Sequence, residues 1–171
     1  LYIKLNSYRF RSKVEILNLS NEFVVAVLSR EKFLTLENSK DVLGYTTKFR
    51  EDPIYLDPRH KNLGARLITN LEKLHLSLKL LELKSSNLDE YYSVSNKLGI
   101  PQINTDKLQN NLFGIECNLN ELNGIDFKKG CYVGQENTAR IKLKDKLSKR
   151  LFPVDVIEGD LSKDNIIHHE N

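Results

Sequence analysis

At 171 residues, 40% hydrophobic and 29% charged, the chain has the composition of a globular protein able to bury one generous core or two small ones. No apolar run approaches the roughly 18 residues that a membrane-spanning helix needs, which excludes a transmembrane helix. Lys and Arg number 26 against 23 acidic residues, so the net charge of +3 is small and scattered and gives nucleic acid no footprint.

Residues 1–8 read as the end of a helix, because Leu1 and Leu5 share a face at i,i+4 spacing. Lys13-Val14-Glu15-Ile16 alternates, Asn18, Ser20 and Asn21 supply turn chemistry, and residues 23–28 form a β-branched run. Together these predict a β-hairpin. Its second strand does not alternate, as expected for a central strand buried on both faces. Charged residues interrupt every apolar pattern between residues 30 and 50, which reads as loop with short strands.

A short strand follows at residues 54–57 and stops at Pro58, Asn62-Leu63-Gly64 is a turn, and residues 65–69 form another strand. These make a second hairpin-like unit. Leucines in residues 71–83 fit a strand or a helix, and the length of the segment favours helix. Asp89 and Glu90 in a first turn, with Gly99 and Pro101 at the end, predict a helix over residues 88–98. A short helical turn is expected at 118–122, a helix from Gly134, and strand character at 151–157. Strands and helices mixed without regular βαβ alternation predict an α+β fold with antiparallel sheets.

The chain has no Met and starts at Leu1, which reads as an internal piece of a longer protein. Its two cysteines, Cys117 and Cys131, form no paired CxxC pattern, which argues for a reducing compartment. Neither they nor the distant His60 and His75 have the spacing of a metal site, and no metal is expected.

The densest chemical signal runs from Lys129 to Arg140. Gly130 and Gly134 bracket Cys131 and Tyr132 just before a helix-forming stretch, so the backbone there can turn sharply. A thiol at a helix N-terminus beside Lys129 would have its pKa depressed toward thiolate. Glu136 and Arg140 stand four apart and can pair along one helix face. Read from residue types alone, Cys131 is more often a small buried apolar residue and the Glu136–Arg140 pair an ordinary surface contact.

The segment matches K-G-C-Y-x-G-Q-E-x-x-x-R at every fixed position, through Lys129, Gly130, Cys131, Tyr132, Gly134, Gln135, Glu136 and Arg140. In this it resembles the signature of the YgfZ family of folate-binding proteins, which is related to the glycine-cleavage aminomethyltransferase. The segment from Tyr8 to Val14 is similar to the family's entry into a strand. Asp57-Pro58-Arg59 with Leu63-Gly64-Ala65-Arg66 resembles its D-P-R and L-G-x-R pair, and Leu98-Gly99-Ile100-Pro101 closes its helix. Glu116-Cys117-Asn118-Leu119 is similar to its P-x-E-x-N-L stretch, with Gly114 where proline is usual and Asn120 where an acidic residue is common.

The resemblance covers roughly residues 5–157, the middle of a family member. It implies an aminomethyltransferase-like folate-binding region over 1–148 and the start of a truncated C-terminal β-barrel over 149–171. It implies tetrahydrofolate or a derivative as cofactor, with Glu116, Tyr132 and Arg140 as contacts and Cys131 as the functional thiol. A carboxylate suits a pterin edge with adjacent N–H donors, although Glu116 can as well cap the turn before Asn118. Arg59 and Arg66 could face the acidic tail of folate or be solvated arginines.

The implied role is an accessory factor in the assembly or repair of iron-sulfur proteins, including enzymes that modify tRNA, rather than a defined catalyst. The alternative is one-carbon transfer of the aminomethyltransferase type to tetrahydrofolate. Expected partners are folate and iron-sulfur proteins or their assembly machinery, with no direct nucleic acid and no membrane. The expected location is bacterial cytoplasm, or alternatively the mitochondrial matrix.

Overall fold

Two strands with strict alternation organise the first part of the chain: β3, Asp52–Leu56, and β4, Ala65–Thr69. They pair antiparallel, with Ile54 opposite Leu67 and Leu56 opposite Ala65. Side chains of period two therefore put all four apolar residues on one face. That face, with Phe33 packed on it, is the core: Phe33, Ile54, Leu56, Ala65 and Leu67 are all buried. β1, Val24–Leu28, pairs with β4, and β2, Thr46–Phe49, pairs with β3, giving a four-stranded antiparallel sheet in the order β1-β4-β3-β2.

The computed structural model describes residues 2–102, 105–108, 111–130 and 149–160. Two compact units divide the chain, Leu1–Leu88 and Asp89–Asn171, and the sheet belongs to the first. Residues 2–7 form α1, Tyr2–Ser7, as the leucine spacing predicts.

Phe33 is delivered to the core by α2, Arg30–Leu34, whose N-terminus is capped by Ser29 accepting the Lys32 N–H at 3.2 Å. Such a cap is worth about 1 kcal/mol. Between β3 and β4 a single 3₁₀ turn, Lys61–Leu63, ends at Gly64 with φ +72°. A β-carbon there would lie 2.1 Å from the Leu28 carbonyl oxygen, so only glycine lets β4 start beside β1. Asn70 then caps α3, Leu71–Leu80, by accepting the Lys73 N–H at 2.9 Å. The leucine-rich segment is thus a helix, in keeping with its length.

α4, Leu88–Lys97, leads the second unit with Asp89 and Glu90 in its first turn, where carboxylates favour the helix dipole. A second 3₁₀ turn follows at Thr105–Lys107. A four-stranded antiparallel sheet and separate helices make this an α+β fold. Among the described residues no helix is long and apolar enough to cross a membrane.

Four expectations are corrected. Residues 13–16 form no strand, and β1 takes its ladder from β4, so the first predicted hairpin is absent. The predicted turn does form, with Ser20 N–H and Oγ donating to Asn18 Oδ1 at 3.1 and 2.6 Å. Local turn chemistry thus holds without bringing a strand with it. β1 also lies at the edge of the sheet and alternates in burial, leaving Val25 56% exposed, where its unbroken apolar run suggests a central strand. Residues 151–157 join no ladder among the described residues. The stretch between residues 30 and 50 holds one helix and one strand instead of loop with strands alone.

Candidate functional site

α4 stops where Gly99 turns to φ +67°. Its N–H reaches the Asn96 carbonyl at 2.9 Å and the Ile100 N–H reaches the Ser95 carbonyl at 3.0 Å, a left-handed helix ending that Pro101 then prevents from continuing. A side chain at position 99 would meet Asn118 Nδ2 at 3.2 Å and Pro153 Cδ at 3.4 Å, so the glycine also permits close approach. Around this stop opens a cavity of about 820 Å³, walled by Tyr92, Asn96 and Lys97 of α4, by residues 99–102, and by residues 151–155. Its size falls in the range of small-molecule sites. Ile100 is a buried apolar wall, and Gln102 is oriented by donating its Nε2 to the Tyr91 hydroxyl at 2.8 Å.

Below the cavity runs the turn that contains Glu116, Cys117 and Asn118. Glu116 is buried, its Oε2 accepts the Phe113 N–H at 2.9 Å, and its own carbonyl accepts the Leu151 N–H at 2.9 Å. The carboxylate thus caps the turn, and Glu116 is not among the residues that line the cavity. Asn118 sits in the left-handed region at φ +62°, a conformation asparagine tolerates better than most residues. Its Nδ2 donates to the Gly99 carbonyl at 3.2 Å and to the Leu151 carbonyl at 3.0 Å, while its Oδ1 accepts Arg150 Nε at 3.0 Å. Arg150 also pairs with Glu121 and lies 5.8 Å from the centre of the Phe152 ring. Cys117 is half-buried, and its thiol pKa is pushed up by burial and then by the Glu116 charge.

In the first unit, the D-P-R and L-G-x-R residues meet on one carboxylate. Asp57 is 0% exposed and accepts Arg59 Nε at 3.0 Å, Arg59 Nη2 at 2.7 Å and Arg66 Nε at 2.9 Å, with the Arg59 N–H adding a further bond at 3.0 Å. Both arginines are 26% exposed. Burial alone would raise the Asp57 pKa, but hydrogen bonds and charge from the two guanidiniums hold it below the ordinary value. The two arginines proposed from the sequence as partners of an acidic ligand tail therefore share an internal carboxylate. At the opposite end of β3, buried Asp52 accepts Thr69 Oγ1 at 2.6 Å and Lys73 Nζ at 2.9 Å.

Of the signature segment, Lys129 and Gly130 are described and exposed. Cys131, Tyr132, Gly134, Gln135, Glu136 and Arg140 lie outside the described residues, as does the helix expected from Gly134. So does most of the stretch around the 148/149 boundary. Among the described residues no three His, Cys, Asp or Glu side chains are grouped as a metal site. Sequence reasoning missed Asn118 as a bridge and missed Arg150 altogether. The available signal was an asparagine inside a motif, a residue type suited to a left-handed turn whose short amide reaches backbone carbonyls.

No protein-family model matches the chain. It is similar to the protein named iron-sulfur cluster assembly factor IBA57 homolog, mitochondrial, of Dictyostelium discoideum, with 30% identity over 164 residues, 95% of this chain and 40% of that protein. It is similar also to the mouse protein named iron-sulfur cluster assembly factor IBA57, mitochondrial, with 33% identity over 159 residues, 92% of this chain and 42% of that one. The human protein of the same name is 37% identical over 98 residues, 57% of this chain and 27% of that protein. The chain therefore spans less than half the length of each of these relatives.

Proposed function

We propose that the chain is part of a mitochondrial, folate-binding accessory factor for iron-sulfur cluster assembly, within the YgfZ-like group related to aminomethyltransferase. The observation that carries this reading is the similarity to iron-sulfur cluster assembly factors over 95% of the chain, joined to an intact Lys129–Arg140 signature. The relatives' names place them in mitochondria, which favours the matrix over bacterial cytoplasm for this chain.

Tetrahydrofolate or a derivative is the proposed ligand, with its pterin end in the cavity beside α4. The cavity volume of about 820 Å³ suits it, and Asn96 and Gln102 on the walls each carry the donor and acceptor that a pterin edge requires. Lys97 on the same wall suits the negative charge of a folate tail. Glu116 supports the cavity from below through Phe113 and Leu151. Tyr132 and Arg140 remain proposed folate contacts, and Cys131 the proposed functional thiol. Residues 149–171 are proposed to begin a C-terminal barrel. The clients are iron-sulfur proteins, tRNA-modifying enzymes among them, reached directly or through the assembly machinery.

Depleting the protein from cells is expected to lower iron-sulfur enzyme activities several-fold while leaving iron-free enzymes of the same compartment unchanged, and the full-length protein restores them. Unchanged iron-sulfur activities would remove this reading. Formation of methylene-tetrahydrofolate by the purified full-length protein would instead favour one-carbon transfer.

A further inference from the structure

We infer that Asn118 is a positioning residue that fixes the spacing between two walls of the cavity, and thereby the thickness of ligand it admits. The inference rests on the folate reading only for the identity of that ligand. Its physical basis lies within the second unit. One wall turns at Gly99, where α4 ends, and the other begins at Leu151. A single amide nitrogen donates to the carbonyls of both, at 3.2 and 3.0 Å. Gly99 and Leu151 both line the cavity.

The bridge has little freedom to give. Asn118 is 8% exposed, and its backbone is held by the Asn118 N–H to the Ile115 carbonyl at 3.2 Å and the Leu122 N–H to the Asn118 carbonyl at 3.0 Å. Arg150 donates to Oδ1, which fixes the orientation of the amide and turns its nitrogen toward the two carbonyls. The Glu121 carboxylate holds Arg150 in turn. Position 118 therefore needs one donor group that points two ways, together with an acceptor for a guanidinium. Among the genetically encoded side chains of this size only asparagine supplies both.

Asn118→Asp keeps the shape, the tolerance of φ +62° and the acceptor for Arg150, but sets a carboxylate oxygen against two carbonyl oxygens. Asn118→Gly keeps the backbone conformation and removes the bridge. In the full-length protein, both variants are expected to bind tetrahydrofolate about tenfold more weakly. Hydrogen exchange is expected to speed up at the amides of Gly99, Ile100, Arg150, Leu151 and Phe152 and to stay unchanged within α4. A merely structural role would speed exchange evenly across the unit, and that result, or wild-type affinity with wild-type exchange, overturns the inference. Should the wild-type protein fail to bind tetrahydrofolate, the folate reading falls, and the local or even pattern of exchange still decides the role of Asn118.

Discussion

Asp57→Asn is expected to destabilise the four-stranded unit by about 3–5 kcal/mol, the usual cost of breaking a buried ion pair from one side. Asp57 has no exposed surface, and its one carboxylate is shared by two arginines that are themselves only 26% exposed. Asparagine can retain part of the hydrogen bonding, but it leaves two guanidiniums without their carboxylate at the start of β4, where Ala65 and Leu67 enter the core. Urea unfolding followed by circular dichroism measures the loss, and an unchanged midpoint would contradict it. Because the Asp57 pKa is lower in the folded than in the unfolded state, its contribution is complete above the unfolded value of about 3.9 and disappears as pH falls through the folded value. Asp52, whose pKa is lowered by Lys73 and Thr69, adds in the same direction. The wild-type protein is therefore expected to lose stability below about pH 4, and Asp57→Asn to lose less over that interval.

Cys131→Ala in the full-length protein is expected to abolish rescue of iron-sulfur enzyme activities in depleted cells, reducing them to the level of an empty control. The expectation rests on the proposed role of Cys131 and on the signature that carries it, in which Lys129, Gly130 and Gly134 flank the cysteine in sequence. Cys117→Ala provides the comparison within the same chain. Its thiol is half-buried and its pKa is raised by burial and by Glu116, so it is a poor nucleophile at neutral pH, and that variant should rescue as wild type does. Equal rescue by both variants, with equal protein levels, would remove the role assigned to Cys131.

Much of the second hairpin and both long helices was legible from local signals. Gly64, Gly99 and Pro101 act within a few residues of themselves, so turn chemistry names the start of β4 and the end of α4 without tertiary information, while α3 is legible from leucine spacing and length and not from its Asn70 cap. The partner of β1 was not legible, because an apolar run specifies burial and not which strand covers it. Residues 13–16 alternate as well as any strand, yet β4 takes the pairing. Likewise, nothing in the spacing of Asp57, Arg59 and Arg66 shows that all three share a single internal charge cluster. That follows only when β4 is laid beside β3 and Tyr55 stands opposite Arg66.

The candidate site divides along the same line. Glu116 and the Lys129–Arg140 segment stand out in the sequence as motif residues, yet Glu116 does not line the cavity and Cys131 to Arg140 lie outside the described residues, whereas the cavity depends on residues 99–102 and 151–155 being brought together across some 50 positions of sequence. Asn118 makes that closure. Long-range closure through a single side chain leaves no periodicity to read, and Arg150 looks in the sequence like one more surface cation.

Titration of tetrahydrofolate into the full-length protein, wild type against Ser93→Trp, tests the account most directly. Ser93 is an exposed cavity-wall position on α4, where a large ring can occupy the proposed pterin space with little cost to the fold. Saturable binding by the wild type that is lost in Ser93→Trp, at unchanged thermal stability, is the predicted result. Absence of binding to the wild type, or equal binding to both proteins, would contradict it.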